Sequence, residues 1–348
     1  MSITTISHKQ LSASVNIVSG NLAAGKNTLF SICYNEIYLL KAFISHYRSI
    51  GVEQFLILDD RSTDGTFEYL TKQDDCVVLN SDFRYGDVLK VSDGSLQSPD
   101  KSQRAGIFYK SIIPAKYLEG SWALYVDLDE FLILPKGYSS PWDFTEELER
   151  DGFGSVISSV VDFYPEHSDS IFENISLHRT EDLFHAYPYF DMGPTLRIDA
   201  QGVIEPLKDT STVRLLNDFE ILKNKKKLFE FLRKSNKKKS RRVTTVYCKT
   251  PFVKFESGVV YHGSHQSSAT HPLNKYWCLA HFKFNYSLSK KTAFAIESKS
   301  YSRNSFKYSL YEQLQVKLKQ EPSSLISPAS RKFTSTSDLV HAGHLKWL

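Results

Sequence analysis

Three carboxylates, Asp127, Asp129 and Glu130, fall inside WALYVDLDEFL, the run from Trp122 to Leu132, whose other members are apolar. Carboxylates in such a run are costly unless cations or hydrogen-bond donors meet them. Read as one strand, the run puts Asp127 and Asp129 on one face and turns Leu128 into the fold. A D-x-D pair on one face suits a hard divalent cation, Mg²⁺ or Mn²⁺, which takes one or two carboxylates, phosphate oxygens of a substrate, and water. Two plainer roles stand beside that one: capping the next turn, or pairing with an arginine. A second acidic pair, Asp59 and Asp60, ends the run EQFLILDD.

SICYNE, LILDDRSTDGT and WALYVDLDEFL, in this order and at these separations, resemble glycosyltransferases of the GT-A fold, specifically family-2-like bacterial enzymes with a D-x-D-E-F signature. CKTPFVKF, YHGSHQ and LAHFKF, followed by a basic and aromatic helical tail, resemble the C-terminal half of that group. The resemblance covers most of Thr28 to about Leu318, and the lysine-rich insert departs from it. It implies a nucleoside diphosphate sugar as donor and a saccharide or lipid-linked glycan as acceptor, in surface polysaccharide or lipopolysaccharide synthesis. Asp60 would face the base or ribose, with Asn35, Glu36 and Asp59 shaping the same pocket, and Asp127 and Asp129 would hold Mn²⁺ or Mg²⁺ on the diphosphate. A cation bridging a leaving diphosphate stabilises its developing charge.

Further candidates gather around that core. His281 in LAHFKF is a candidate third metal ligand, and Lys283, two residues on, shares its face and adds charge for the diphosphate. A single histidine in an apolar run is otherwise a hydrogen-bonded core residue. His262 and His265 compete for the same roles, with His265 preferred. Arg104, placed with Gln103 on a helix before the D-x-D run, could grip a phosphate bidentately or simply be an exposed helix arginine. An inverting transfer needs a general base at the acceptor hydroxyl. Asp162 in VVDFYPE is the first candidate, Asp191 in YFDMGP the second, and Glu130 the third, although Glu130 points away from the D-x-D face and suits an anchoring role better.

These residues need a scaffold of strand ends. TLFSICY, EQFLILDD, CVVLN and SWALYVDLDEFLIL read as strands, separated by a helix with Ile37, Leu40, Phe43, Ile44 and Tyr47 on one face, a turn and N-cap at RSTDGT, and a helix in SQRAGIFYKSIIPAKYL that Pro114 should break or kink. The fold class is therefore α/β, a Rossmann-like mainly parallel sheet covered by helices, with ligands expected outside the carboxyl ends of its strands. The expected divisions are a loose lead-in over 1–26, a nucleotide-sugar half over 27–134, an irregular acceptor half over 135–318 and a C-terminal extension over 319–348.

The net charge of +4 is concentrated: Lys223 to Arg242 carries 11 Lys or Arg against one Glu, leaving −6 for the remainder. Within 215–242, Leu215, Leu216, Phe219, Leu222, Phe229 and Leu232 interleave with these lysines, as in a helix lying on an anionic membrane surface; a solvated charge run is the plain alternative. Base-stacking modules and groove-reading motifs are absent, so nucleic acid is not an expected partner. Four scattered cysteines and no apolar run long enough to cross a bilayer favour a cytoplasmic protein, peripheral on the inner membrane face if the insert binds there. A nucleotidyltransferase would want a glycine-rich basic loop after its first strand, which SICYNE lacks. A catalytically silent scaffold would tolerate loss of the D-x-D pair, which is intact.

Overall fold

The computed structural model describes residues 3–92, 102–222, 246–263, 265–299 and 301–347. Among them the central sheet has nine strands: β1 (Val15–Ser19), β2 (Thr28–Cys33), β3 (Gln54–Asp59), β4 (Cys76–Ser81), β5 (Trp122–Tyr125), β6 (Glu130–Ile133), β7 (Ser155–Asp162), β8 (Cys248–Lys254) and β9 (Trp277–His281). Their order across the sheet is β1-β4-β3-β2-β5-β8-β7-β9-β6. The fold is mixed α/β. The run β4-β3-β2-β5 is parallel, as expected of strands joined by helices. The rest is not mainly parallel: β8 runs against both its neighbours, β6 against β9, and β1 against β4. Strands reached by loops rather than helical crossovers are free to reverse direction.

Helix α1 (Ile37–Ser49) follows the expected pattern, burying Leu40, Phe43, Ile44 and Tyr47 against one sheet face. Helix α2 (Ala105–Tyr117) covers the other face with Phe108, Tyr109, Ile112 and Ile113. Along β2 the neighbours Leu29 and Phe30 belong to these two opposite cores, which is why parallel strands read as unbroken apolar runs. Fully burying a side chain such as Phe43 contributes about 1.5–3 kcal/mol. Pro114 does not break α2, which runs on to Tyr117. Gln103 and Arg104 lie before the helix, in a short strand paired with Val88 and Leu89.

Both chain ends are part of the fold. Thr4–Ile6 pairs with residues 89–91 and β1 closes a sheet edge, with Leu11 and Val15 fully buried, so residues 3–19 are not a loose lead-in. At the other end Ser330–Lys332 pairs with Tyr189–Asp191, and Leu339, Ala342, Leu345 and Trp347 join the largest core. A division at residue 134 does not separate two sheets either, because β6 lies at the far edge beyond β8, β7 and β9.

Helix α3 (Ser211–Asp218) packs Leu215 and Leu216 against Leu310, Leu314 and Leu318 of the long helix α5 (Ser302–Gln320). Those two leucines are therefore spent on the core and not on a membrane. The basic run from Lys223, with Phe229 and Leu232, lies outside the described residues. A further helix, α4 (Leu288–Ser298), follows β9 and pairs with α5. Among the described residues no helix is long and apolar enough to cross a membrane.

Candidate functional site

WALYVDLDEFL is not one strand. It is two, β5 and β6, with Val126 to Asp129 crossing between them over the ends of β8, β7 and β9. Leu128 turns into the core at 2% exposure, as expected. Each strand beneath the crossover contributes one polar side chain near it: Lys249 from β8, Asp162 from β7 and His281 from β9. The D-x-D carboxylates thus come from a turn, and their partners come from strand ends far away in sequence.

Lys249 is the partner of the first carboxylate. Its ammonium, 3% exposed, donates to Asp127 and, at 2.7 Å, to Glu130. The Tyr125 hydroxyl donates to the other Asp127 oxygen at 3.0 Å. Burial pushes Asp127 up, but Lys249 and Lys110 outweigh it and hold the carboxyl well below the usual range. Glu130 is 2% exposed, accepts the Asp127 backbone N–H at 3.2 Å and is raised by burial against the pull of Lys249. It anchors the turn and does not line the cavity, so the base role considered for it has no support in its position. Sequence reasoning missed Lys249, although a lysine inside CKTPFVKF is as costly to bury as an aspartate inside WALYVDLDEFL.

The second carboxylate meets two groups. Its Oδ2 is 3.3 Å from Lys291 Nζ on α4 and 3.8 Å from His281 Nε2. Burial raises Asp129, and Lys291 with His281 reverses this to a net lowering. His281 Nδ1–H donates to Asp162 Oδ1 at 2.8 Å, which in the neutral ring leaves the Nε2 lone pair on the Asp129 side. Asp162 also accepts from Thr212 N and Thr212 Oγ1 at 3.0 and 2.6 Å, with Lys283 Nζ at 3.6 Å. Despite burial, Lys283 and His281 hold Asp162 well below the ordinary range. A saturated, 3% exposed carboxylate of that kind orients His281; it is not placed to take a proton from an acceptor. Lys283 shares that partner and donates to Thr212 Oγ1 at 3.2 Å, away from the cavity wall. Asp191 is held by Tyr164 at 2.6 Å and Arg214 at 2.8 Å, also away from the cavity.

The cavity itself, about 640 Å³, opens at the carboxyl ends of β2 and β3 and beside the D-x-D turn, with α4 and the start of α5 as its roof. Among the described residues five carboxylates line it, Glu36, Asp60, Asp87, Asp127 and Asp129, against two cations, Arg84 and Lys291. Glu36 precedes α1 but does not cap it. Asp64 Oδ2 accepts from Ile37 N, and Thr66 Oγ1 from Glu36 N, at 3.2 and 2.9 Å, so STDGT caps this helix across space. The Glu36 carboxylate is left for Lys291 Nζ, 2.8 Å from Oε1, while the buried Oε2 has no hydrogen-bond partner among the described residues. Burial, only partly opposed by Lys291, pushes its carboxyl up to about 7.

At the other end of the cavity Asp60, 7% exposed, is raised to about 6 by burial, against Arg84, whose Nε is 3.7 Å away. Arg84 also lies over the Tyr34 ring, which contacts Phe294 of the roof at 4.4 Å. Sequence reasoning missed Arg84, Tyr34 and Phe294. Asn35, at φ 55°, accepts from Thr63 N at 2.7 Å, and Asp59 accepts from Ser62 N at 2.9 Å. These two shape the wall without forming it. Arg104 donates to the Tyr301 carbonyl, fastening the roof instead of reaching the cavity. His265 has a buried Nδ1 without a hydrogen-bond partner among the described residues, and burial together with Lys249 and Lys110 pushes it down to about 2. His262 is exposed.

Among the described residues no group of three or more His, Cys, Asp or Glu side chains is placed to hold a metal ion. What stands at Asp129 is an open pair, Asp129 and Glu36, bridged by an ammonium, with a histidine nitrogen alongside. Open sets of one or two carboxylates suit a cation that takes its other ligands from phosphate and water. No protein-family model matches the chain, and no curated protein is significantly similar to it.

Proposed function

We propose that the protein is a metal-dependent glycosyltransferase that moves a sugar from a nucleoside diphosphate donor to a saccharide or lipid-linked glycan hydroxyl. The observation that carries the reading is the charge of the cavity. A nucleoside diphosphate is an anion, and among the described residues its pocket is lined by five carboxylates against two cations, so positive charge entering with it favours binding. The D-x-D turn, with Glu36 and His281 beside Asp129, is where Mn²⁺ or Mg²⁺ would be held. There the cation would supply charge neutralisation to the diphosphate as it leaves.

The chain's own groups divide the remaining work. Tyr34 and Phe294 offer an aromatic wall for a nucleobase. Asp60 accepts an N–H and Arg84 donates to a carbonyl oxygen, and that pairing matches the N–H and C=O edge common to uracil and guanine. Adenine and cytosine present the reverse order there, a bare ring nitrogen facing Asp60 and an amino group facing Arg84, so neither protein group is paired by a base held in the same pose. Lys249 keeps Asp127 ionised and the turn in place, and Asp162 fixes the His281 ring.

Calorimetric titration of UDP, GDP, ADP and CDP, with Mn²⁺ and with EDTA, on wild type and Asp129→Ala, tests the reading. The expected result is Mn²⁺-dependent binding of UDP or GDP, at least tenfold tighter than ADP and CDP and lost in the variant. Equal binding of all four nucleotides would remove the base assignment. No binding of any would remove the donor reading altogether.

A further inference from the structure

We infer that Lys291 is a displaceable counter-ion, holding the position of the divalent cation between Glu36 and Asp129 and passing to the phosphate oxygens of the nucleotide once that cation arrives. This rests on the reading of the cavity as a metal and nucleotide site. Its basis is the contrast between the two lysines that meet the D-x-D turn. Lys249 projects from a central strand, is 3% exposed, and is locked between Asp127 and Glu130. Lys291 projects from the first turn of the roof helix α4, is 23% exposed, lines the cavity, and spans Glu36 at 2.8 Å and Asp129 at 3.3 Å. One is built into the sheet, and the other can leave.

The carboxylates it bridges are incompletely used. Glu36 spends one oxygen on Lys291, while the other is buried without a hydrogen-bond partner among the described residues. No cap occupies Glu36, because Asp64 and Thr66 perform that task for α1. Two carboxylates that share a single ammonium hold a surplus negative charge, which favours exchange of that ammonium for a divalent cation. Ammonium and cation repel each other and cannot occupy the same gap. The displaced Nζ stays within the cavity, because the roof has independent fastenings at Phe294 against Tyr34 and at Arg104 to the Tyr301 carbonyl. A flexible four-carbon stem lets the charge swing while α4 stays seated, and loss of the ion pairs to Glu36 and Asp129 loosens the helix locally until nucleotide re-engages the ammonium. A diphosphate on the cation then offers it the nearest anionic oxygens.

Competition followed by cooperation gives effects of opposite sign, which neither a structural lysine nor a simple phosphate-binding lysine produces. In Lys291→Met, Mn²⁺ alone should bind more tightly, and UDP or GDP in saturating Mn²⁺ more weakly, each by a factor in the range of about 5–150. Free Mn²⁺ is read by electron paramagnetic resonance and nucleotide by calorimetry. Glu36→Gln should weaken Mn²⁺ binding. Wild type supplies a readout independent of any variant's folding: backbone hydrogen exchange in Leu288–Ser298 should quicken with Mn²⁺ alone and slow again when nucleotide is added. Mn²⁺ affinity unchanged or weakened in a folded Lys291→Met, or exchange in α4 indifferent to Mn²⁺, overturns the counter-ion role. Tighter Mn²⁺ binding without any nucleotide binding retains that role and overturns the donor reading instead.

Discussion

Asp60 illustrates the conflict between stability and recognition at one residue. Its carboxyl is raised from 3.8 to about 6 because burial penalises the charged form more than Arg84 relieves it. The folded protein therefore holds that proton to higher pH than the unfolded chain does, so this group's contribution to stability falls as pH rises from about 4 to 6. At neutral pH the fold carries a buried charge that it would be more stable without. Asp60→Asn should be more stable than wild type at pH 7, by on the order of 1–3 kcal/mol, with the advantage fading below pH 4. Urea unfolding across that range in EDTA measures it. The same variant should lose nucleotide affinity, as expected where a site residue is kept at a cost to the fold. A variant less stable at pH 7 than at pH 4, relative to wild type, would show that Arg84 already repays the burial.

At the scale of elements, what could be read from the sequence depended on how local the signal was. Helix α1 was legible because it carries its own period, and strands β2, β3 and β4 because each is a short apolar run bounded by polar residues. The β5 and β6 boundary was not, since Val126 and Leu128 are as buried in the crossing turn as strand residues would be, and no Gly, Pro or Asn marks it. The acidic half of the site could be recognised in the sequence. Its cationic half, Lys249 and Lys291, lies more than a hundred residues away, and only the sheet order unites them. Gly106 shows a similar long-range constraint. Alanine normally stabilises a helix by about 1 kcal/mol over glycine, but a Cβ here would fall 2.0 Å from the Tyr85 ring, which lines the cavity. Gly106→Ala should therefore lower the melting temperature and weaken nucleotide binding together, through displacement of Tyr85. A stabilised variant with unchanged binding would mean that the ring has other room.

Over the whole molecule, the ends of the chain brace the sheet that carries the site. The polar, serine-rich residues 3–19 concealed an edge strand because only Leu11 and Val15 of that stretch are fully buried. The C-terminal segment concealed a core plug in the same way. Trp347 packs against Phe144 and Trp277 at ring distances of 4.8 and 5.6 Å, and Tyr276 exchanges backbone hydrogen bonds with Lys346. From the same segment His344 Nε2–H donates to the Asp191 carbonyl at 2.7 Å. Trp277 begins β9, the strand that ends at His281, so the tail supports the site through one short strand. Trp347→Ala should cost about 3–5 kcal/mol, a fall of roughly 10 °C in melting temperature. Well below that temperature, Mn²⁺ affinity should be retained, because the tail stabilises β9 without touching the cavity. Removing residues 336–348 exposes Phe144, Trp277 and the surrounding core at once and should leave no folded protein in a thermal melt. A truncated chain that melts like wild type would mean that the largest core closes without its C-terminal segment.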